Sequence, residues 1–306
     1  MSRVGYTTRR GVANKMRTLL GVLGTMGLVG NVFFVNNTAT GASNLSTRGT
    51  DPSVPLSTID YAIRRCTAAH GDIIVVMPGH AETINTNTVI VCNVSGIRFI
   101  GVGVGRNRPT LTWSTLASAT IVVSVANISW ENFVFDLTGV DAIVSGFTCD
   151  AADDCAFRNC EFITNSGTAG CVTAITFGAT TACNRWIVEG CHFWGPATNS
   201  GTTTTAQITY TKGTDFICQN NKFTGKMTQA ITNAAAVLRG WIHNNVFVVY
   251  TGTKAINVHA SSTPMCSNNR INVPSGTAPI VAAAGFMSGN NYSAAAGVTA
   301  GTASTF

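Results

Sequence analysis

Short apolar segments alternate with polar positions through most of this 306-residue chain. Runs such as Ile73-Ile74-Val75-Val76, Ile187-Val188 and Phe216-Ile217 are bounded by Asn and Gly and are too brief for helices. They predict short strands joined at sharp corners, because Asn and Gly tolerate left-handed backbone angles. Residues 58–69 are the exception. There the pattern predicts a helix, with Ser57 or Thr58 as N-cap and Asp60 favourably placed in the first turn.

The strand pattern repeats. Trp130-Glu131-Asn132-Phe133-Val134-Phe135 aligns with Phe157-Arg158-Asn159-Cys160-Glu161-Phe162 and with Val188-Glu189-Gly190-Cys191-His192-Phe193. Three further copies end at Phe223, Phe247 and Ile271, and a weaker one at Tyr292. A unit of about two dozen residues cannot bury its apolar face alone, so the units must stack on one another. Stacking places Asn132, Asn159, Asn220, Asn244 and Asn268 in one column, expected to form a ladder of side-chain amides. The aligned Phe residues should stack inward, each burial contributing roughly 1.5–3 kcal/mol.

Composition narrows the class. Only 10% of residues are charged against 45% hydrophobic; this excludes a disordered chain and argues against a helix-rich one. The formal charge of +6 is concentrated at one end. Arg3, Arg9, Arg10, Lys15, Arg17 and Arg48 precede the first acid, Asp51, and the rest of the chain balances. A cationic arm over residues 1–29 is therefore expected, suited to an acidic partner surface. The apolar stretch from Leu19 to Val35 loosely imitates a secretory signal, but Gly21, Gly24, Gly27 and Gly30 interrupt it. No membrane span is expected. The ten cysteines include no CxxC pair and read as buried thiols. Histidines 70, 80, 192, 243 and 259 lie singly, so neither a metal nor a cofactor is expected.

The segment from Gly30 runs GNVFFVNNTATGASN, then PLSTIDYAIRRC, then GDIIVVMPGHAETI. It resembles the start of pectate-lyase-like right-handed parallel β-helix proteins, and within them those of bacteriophage virions. The resemblance implies an all-β, single-stranded right-handed parallel β-helix over residues 30–292, capped by the helix near 58–69. An extended N-terminal arm would precede it, and a C-terminal tail, residues 293–306, would follow.

Enzymatic relatives of this fold use carboxylates, and the dense acidic cluster here is Asp150-Ala151-Ala152-Asp153-Asp154. With Glu161 these acids are the candidates for glycoside chemistry. The cluster also reads as a solvated corner, and the Gly-His-Gly and Arg-x-Lys of polygalacturonases are missing. The run Gly101-Val102-Gly103-Val104-Gly105 lacks the strand–helix setting of a phosphate loop and reads as a corner. His80 with Glu82 could form a base pair of residues, but no nucleophile accompanies them. The five tryptophans read either as a sugar-stacking face or as packing in the core or between subunits.

The resulting expectation is a non-enzymatic bacteriophage virion protein that decorates the capsid surface as a homotrimer. Arg3, Arg9, Arg10, Lys15 and Arg17 would contact the major capsid protein or another virion protein, with no specific nucleic acid bound. The alternative is a tailspike-type receptor-binding protein that binds or depolymerises a host surface polysaccharide. A secreted or membrane-tethered adhesin is a third reading.

Overall fold

The computed structural model describes residues 30–166, 169–195, 204–233, 239–250, 254–259, 261–273, 280–281, 287–289 and 292–293. The arm with Arg3, Arg9, Arg10, Lys15 and Arg17, and the tail from residue 294, lie outside the described residues.

Among the described residues the chain coils into three parallel sheets of ten, eight and nine strands. Each strand pairs with the equivalent strand of the preceding and following turn: Ala156, Phe157 and Arg158 sit between Ser129, Trp130 and Glu131 on one side and Ile187, Val188 and Glu189 on the other. This is the stacked parallel β-helix that the repeat predicts. Its interior is one continuous apolar column. In the third sheet the repeat's last positions are in register, Phe135, Phe162, Phe193, Phe223 and Phe247. Successive rings from Phe162 stack nearly parallel, with centroids 4.4, 4.8 and 4.9 Å apart. Each such pair adds roughly 0.5–1.5 kcal/mol beyond its buried area. A second aromatic contact, Phe99 on Trp130 at 3.9 Å, lies on the inner side of the first sheet.

The corner between the first and third sheets follows from the backbone of one residue. Asn132, Asn159, Asn220, Asn244 and Asn268 all adopt positive φ, between 53° and 63°, and Gly190 takes the equivalent place at 62°. A single residue with φ > 0 bends the chain sharply from one strand into the next. The expected ladder does not run through these side chains. The left-handed corner turns Asn159, Asn220, Asn244 and Asn268 out to solvent. Asn132 donates instead to the carbonyls of Gly101 and Gly103. What Asn132, Asn159, Asn220 and Asn244 share is a backbone ladder, such as Asn159 N–H to the Glu189 carbonyl at 2.9 Å. The amide ladder lies one residue later, through buried Asn221, Asn245 and Asn269. Asn221 Nδ2 donates to Asn245 Oδ1 (3.1 Å) and Asn245 Nδ2 to Asn269 Oδ1 (3.0 Å). In earlier turns this position is occupied by Phe133, Cys160 and Cys191, and Cys191 N–H closes the ladder onto Asn221 Oδ1.

The helix is shorter than expected, Ile59–Ile63, and buries Ile59, Ala62 and Ile63. Thr58 caps it, accepting from Tyr61 N–H. Beyond Ile63 the turn tightens into i→i−3 bonds from Arg65 and Cys66. The Thr67 N–H is then taken by Asp72 Oδ2 at 2.7 Å, which ends the helix. Asp72 also accepts from Asn31 N–H and contacts His70 Nδ1, both at 2.6 Å. Its burial pushes its pKa up, but the bonds from His70, Thr67 and Asn31 outweigh this and hold it below the usual carboxylate range.

Nine of the ten cysteines are buried, as thiols. Burial pushes the thiols of Cys66, Cys155 and Cys171 up to about 12, and those of Cys92, Cys149, Cys191, Cys218 and Cys266 well above their ordinary value.

Candidate functional site

The sheet that ends at the left-handed corners presents its outer face to solvent, and there the chain forms an open groove of about 740 Å³. The floor is set by the register. Reading from one turn to the next, Arg98, Ser129, Ala156, Ile187 and Ile217 occupy one outward column. These five strands span about 19 Å at ~4.8 Å per step. The middle of the floor is apolar: Ala156, Ile187 and Ile217. The next residue in the column is Trp241, which is 42% exposed. A contiguous apolar column on a surface, here Ala156, Ile187, Ile217 and Trp241, is the kind of patch that marks an interaction site.

Two polar rails flank the floor. One is a second outward column two residues on: Glu131, Arg158, Glu189, Gln219 and His243. From Arg158 to His243 it is linked without a break. Arg158 Nε lies 3.6 Å from Glu189 Oε2, Gln219 Nε2 donates to Glu189 Oε1 (2.6 Å), and His243 Nε2 meets Gln219 Oε1 (2.7 Å). Burial lowers the pKa of His243, partly opposed by Glu189. Trp241 stacks on the His243 ring, 4.0 Å between centroids, and its Nε1–H donates to Ser267 Oγ (3.1 Å). The tryptophan is thus exposed yet fixed in orientation. The other rail consists of Asn127, Asp154, Arg185 and Asp215, all at φ between 57° and 61° on successive corners. Arg185 grips Asp154 with two bonds, 2.5 and 2.7 Å, and also reaches Asp153 at 3.3 Å. Asp215 pairs with Arg239 at 3.0 Å. The hydrogen bonds from Arg185 and Arg239 hold Asp154 and Asp215 below the usual carboxylate range.

Each of the five charged residues lining the groove (Arg98, Asp154, Arg158, Arg185 and Asp215) has an ion-pair partner. Exposed pairs of this kind contribute little to stability. Their effect is to line the groove with alternating donors and acceptors.

The four acids singled out in the sequence do not converge. Asp150 accepts from the N–H groups of Thr180 and Thr181 (3.0 and 2.6 Å), and Asp153 from Asn184 N–H (2.8 Å). Of these acids Asp154 alone lines the groove. Glu161 belongs to the third sheet, where Arg108 pairs with one oxygen and Trp194 Nε1–H donates to the other (2.7 Å). Its neighbour His192 has its pKa lowered by burial and by Lys222, against a pull from Glu161. His80 and Glu82 are buried together: Asn37 N–H donates to His80 Nδ1, so Nε2 carries the proton towards Glu82, which also accepts from Ile59 N–H. That pair holds the first turn to the helix. Trp113, Trp130 and Trp186 are core residues. The glycine run forms a corner with a 3₁₀ turn at Gly105–Asn107; at Gly103, φ 132°, a Cβ would stand 2.4 Å from the Asn107 carbonyl oxygen. Among the described residues no group of three His, Cys, Asp or Glu side chains could hold a metal ion, and no helix is long and apolar enough to cross a membrane.

Of the groove residues only Asp154, and Trp241 among the five tryptophans, were singled out from sequence, though a signal for the floor existed. Every floor residue from Ser129 to Trp241 stands three places before the corner Asn or Gly of its own repeat.

No protein-family profile and no curated protein matches the chain. Solved structures do. A rhamnogalacturonan lyase is 12% identical with a TM-score of 0.51, covering 79% of this chain and 74% of that one. An alginate lyase from Paenibacillus sp. is 14% identical with a TM-score of 0.40, covering 77% of this chain and 94% of that one. At 12% identity the likeness to the rhamnogalacturonan lyase is one of fold alone: the chain is a right-handed parallel β-helix.

Proposed function

We propose that this chain binds a polysaccharide along the outer face of its first sheet, as a receptor-binding protein of the tailspike type does, and that it does so without cleaving it. The observation that carries this reading is the groove whose apolar floor, Ala156-Ile187-Ile217, runs in register into an exposed and fixed Trp241. A sugar ring has an apolar C–H face and a rim of hydroxyls. An apolar floor between rails of donors and acceptors matches both. Hydrolysis by an acid/base pair would need two carboxylates facing each other across the bond. Here Asp153, Asp154 and Glu161 are already engaged by arginines. In the same proposal the helix Ile59–Ile63 closes one end of the core, and the basic arm attaches the protein, as a homotrimer, to a virion protein.

Affinity electrophoresis of the full chain through gels containing bacterial surface polysaccharides tests the reading. The expected result is retardation by at least one polymer, with no new reducing or unsaturated ends after incubation. Unretarded migration through all of them would sink it.

A further inference from the structure

Resting on that reading of the groove, we infer that its ligand is an uncharged polysaccharide and that Trp241 is the platform on which one of its sugar rings lies flat. The argument begins with the charges. Arg98 with Glu131, Arg158 with Glu189, Arg185 with Asp153 and Asp154, and Arg239 with Asp215 leave no cation on either rail without its own carboxylate. A polyuronate brings a negative charge on each sugar. To bind here, each carboxylate would have to displace a protein carboxylate from its arginine or lie beside it unpaired. An uncharged chain meets no such conflict, since its hydroxyls donate to the carboxylates and accept from the guanidinium groups while the existing pairs stay intact.

The floor makes the same selection. Ala156, Ile187 and Ile217 offer no polar atom to a charged substituent directed at the sheet. Trp241 continues their column one strand further, its plane set by the His243 ring and its indole N–H committed to Ser267. An aromatic ring held in place before the ligand arrives loses little freedom on binding. Gln219 links His243 to Glu189, so the rail that touches the hydroxyls also sets the platform's angle.

The experiment uses the full chain in affinity gels and titration calorimetry. The probes are neutral glucans, mannans and galactans on one side and alginate and polygalacturonate on the other, each at low and high salt. Retention by a neutral polymer, unchanged between the two salt conditions, is expected. Trp241→Ala should weaken it at least tenfold, while Trp241→Phe, which keeps a flat ring, retains most of it. Ile217→Asp, which puts an unpaired charge on the floor, should abolish it. Trp241 is exposed, so its variants fold, and their melting curves check this. Salt-sensitive binding confined to the two uronate polymers, still weakened by Ile217→Asp, would overturn the neutral-ligand assignment while leaving the groove as the binding site. Binding untouched by either substitution, or retention by no polymer, would overturn the groove reading itself. So would a concentration-dependent self-association that Trp241→Ala removes, which would mark this face as a contact between copies.

Discussion

Two adjacent asparagines in one turn perform opposite tasks, and substitution should separate them. Asn245 is buried and bonded on both sides, accepting from Asn221 and donating to Asn269 Oδ1 and the Cys218 carbonyl. Asn245→Ala leaves several buried polar groups without partners and should cost about 2–4 kcal/mol in chemical denaturation. Asn244 is exposed at φ 55°, so its conformation matters rather than its amide. Asn244→Gly should change stability by less than about 0.5 kcal/mol, whereas Asn244→Ala, which has no preference for that region, should cost about 1 kcal/mol. This pair also marks where single-sequence reading fails. In the doublets Asn220-Asn221, Asn244-Asn245 and Asn268-Asn269 both residues suit a corner, and only the backbone angle decides which points inward. Asp72 gives a pH signature at the same scale. Its folded pKa is depressed, so its contribution is complete above the unfolded value of ~3.9 and disappears as pH falls through the folded one. Protection of the Val32–Val35 amides against exchange, relative to the intrinsic rate, should therefore fall below about pH 4, and Asp72→Asn should show the lower protection already at neutral pH.

The ring stack of the third sheet is what makes one strand depend on the next. Phe193 lies between Phe162 and Phe223 and is fully buried. Phe193→Ala should cost about 3–5 kcal/mol, from lost burial and the cavity left behind. Phe193→Leu should cost about 1–1.5 kcal/mol, because most of the volume is kept. Thermal and urea unfolding would measure both. The first sheet's outer face behaves differently. Arg158→Ala removes an exposed pair and should change stability by less than about 1 kcal/mol, so any loss of ligand binding in that variant reflects the groove. The Phe stack was legible in the sequence because its residues recur at the repeat's last position. The groove was not, since its columns exist only once the register of successive turns is known. The expected length of the helix failed for a reason outside its own sequence: Asp72, five residues beyond Thr67, takes the N–H that a longer helix would have used.

A coil of stacked turns is a quasi-one-dimensional solid. Each winding touches only its neighbours, so opening should proceed from an end and not from the middle. The fold class was legible because Asn and Gly corners, alternating apolar positions and the chain-start segment all agreed. The proposed binding face was not, because the catalytic sets absent from the sequence say nothing about any surface of the cylinder. The thiols turn this architecture into a measurable sequence of events. Nine of them are buried, so they resist alkylating reagents while the chain is wound. They are scattered from Cys66 to Cys266, so each reports on its own stretch of the cylinder. In mild denaturant, the order in which mass spectrometry finds them tagged would trace how the windings come apart. Simultaneous tagging of all ten would mean that the cylinder melts as a single body.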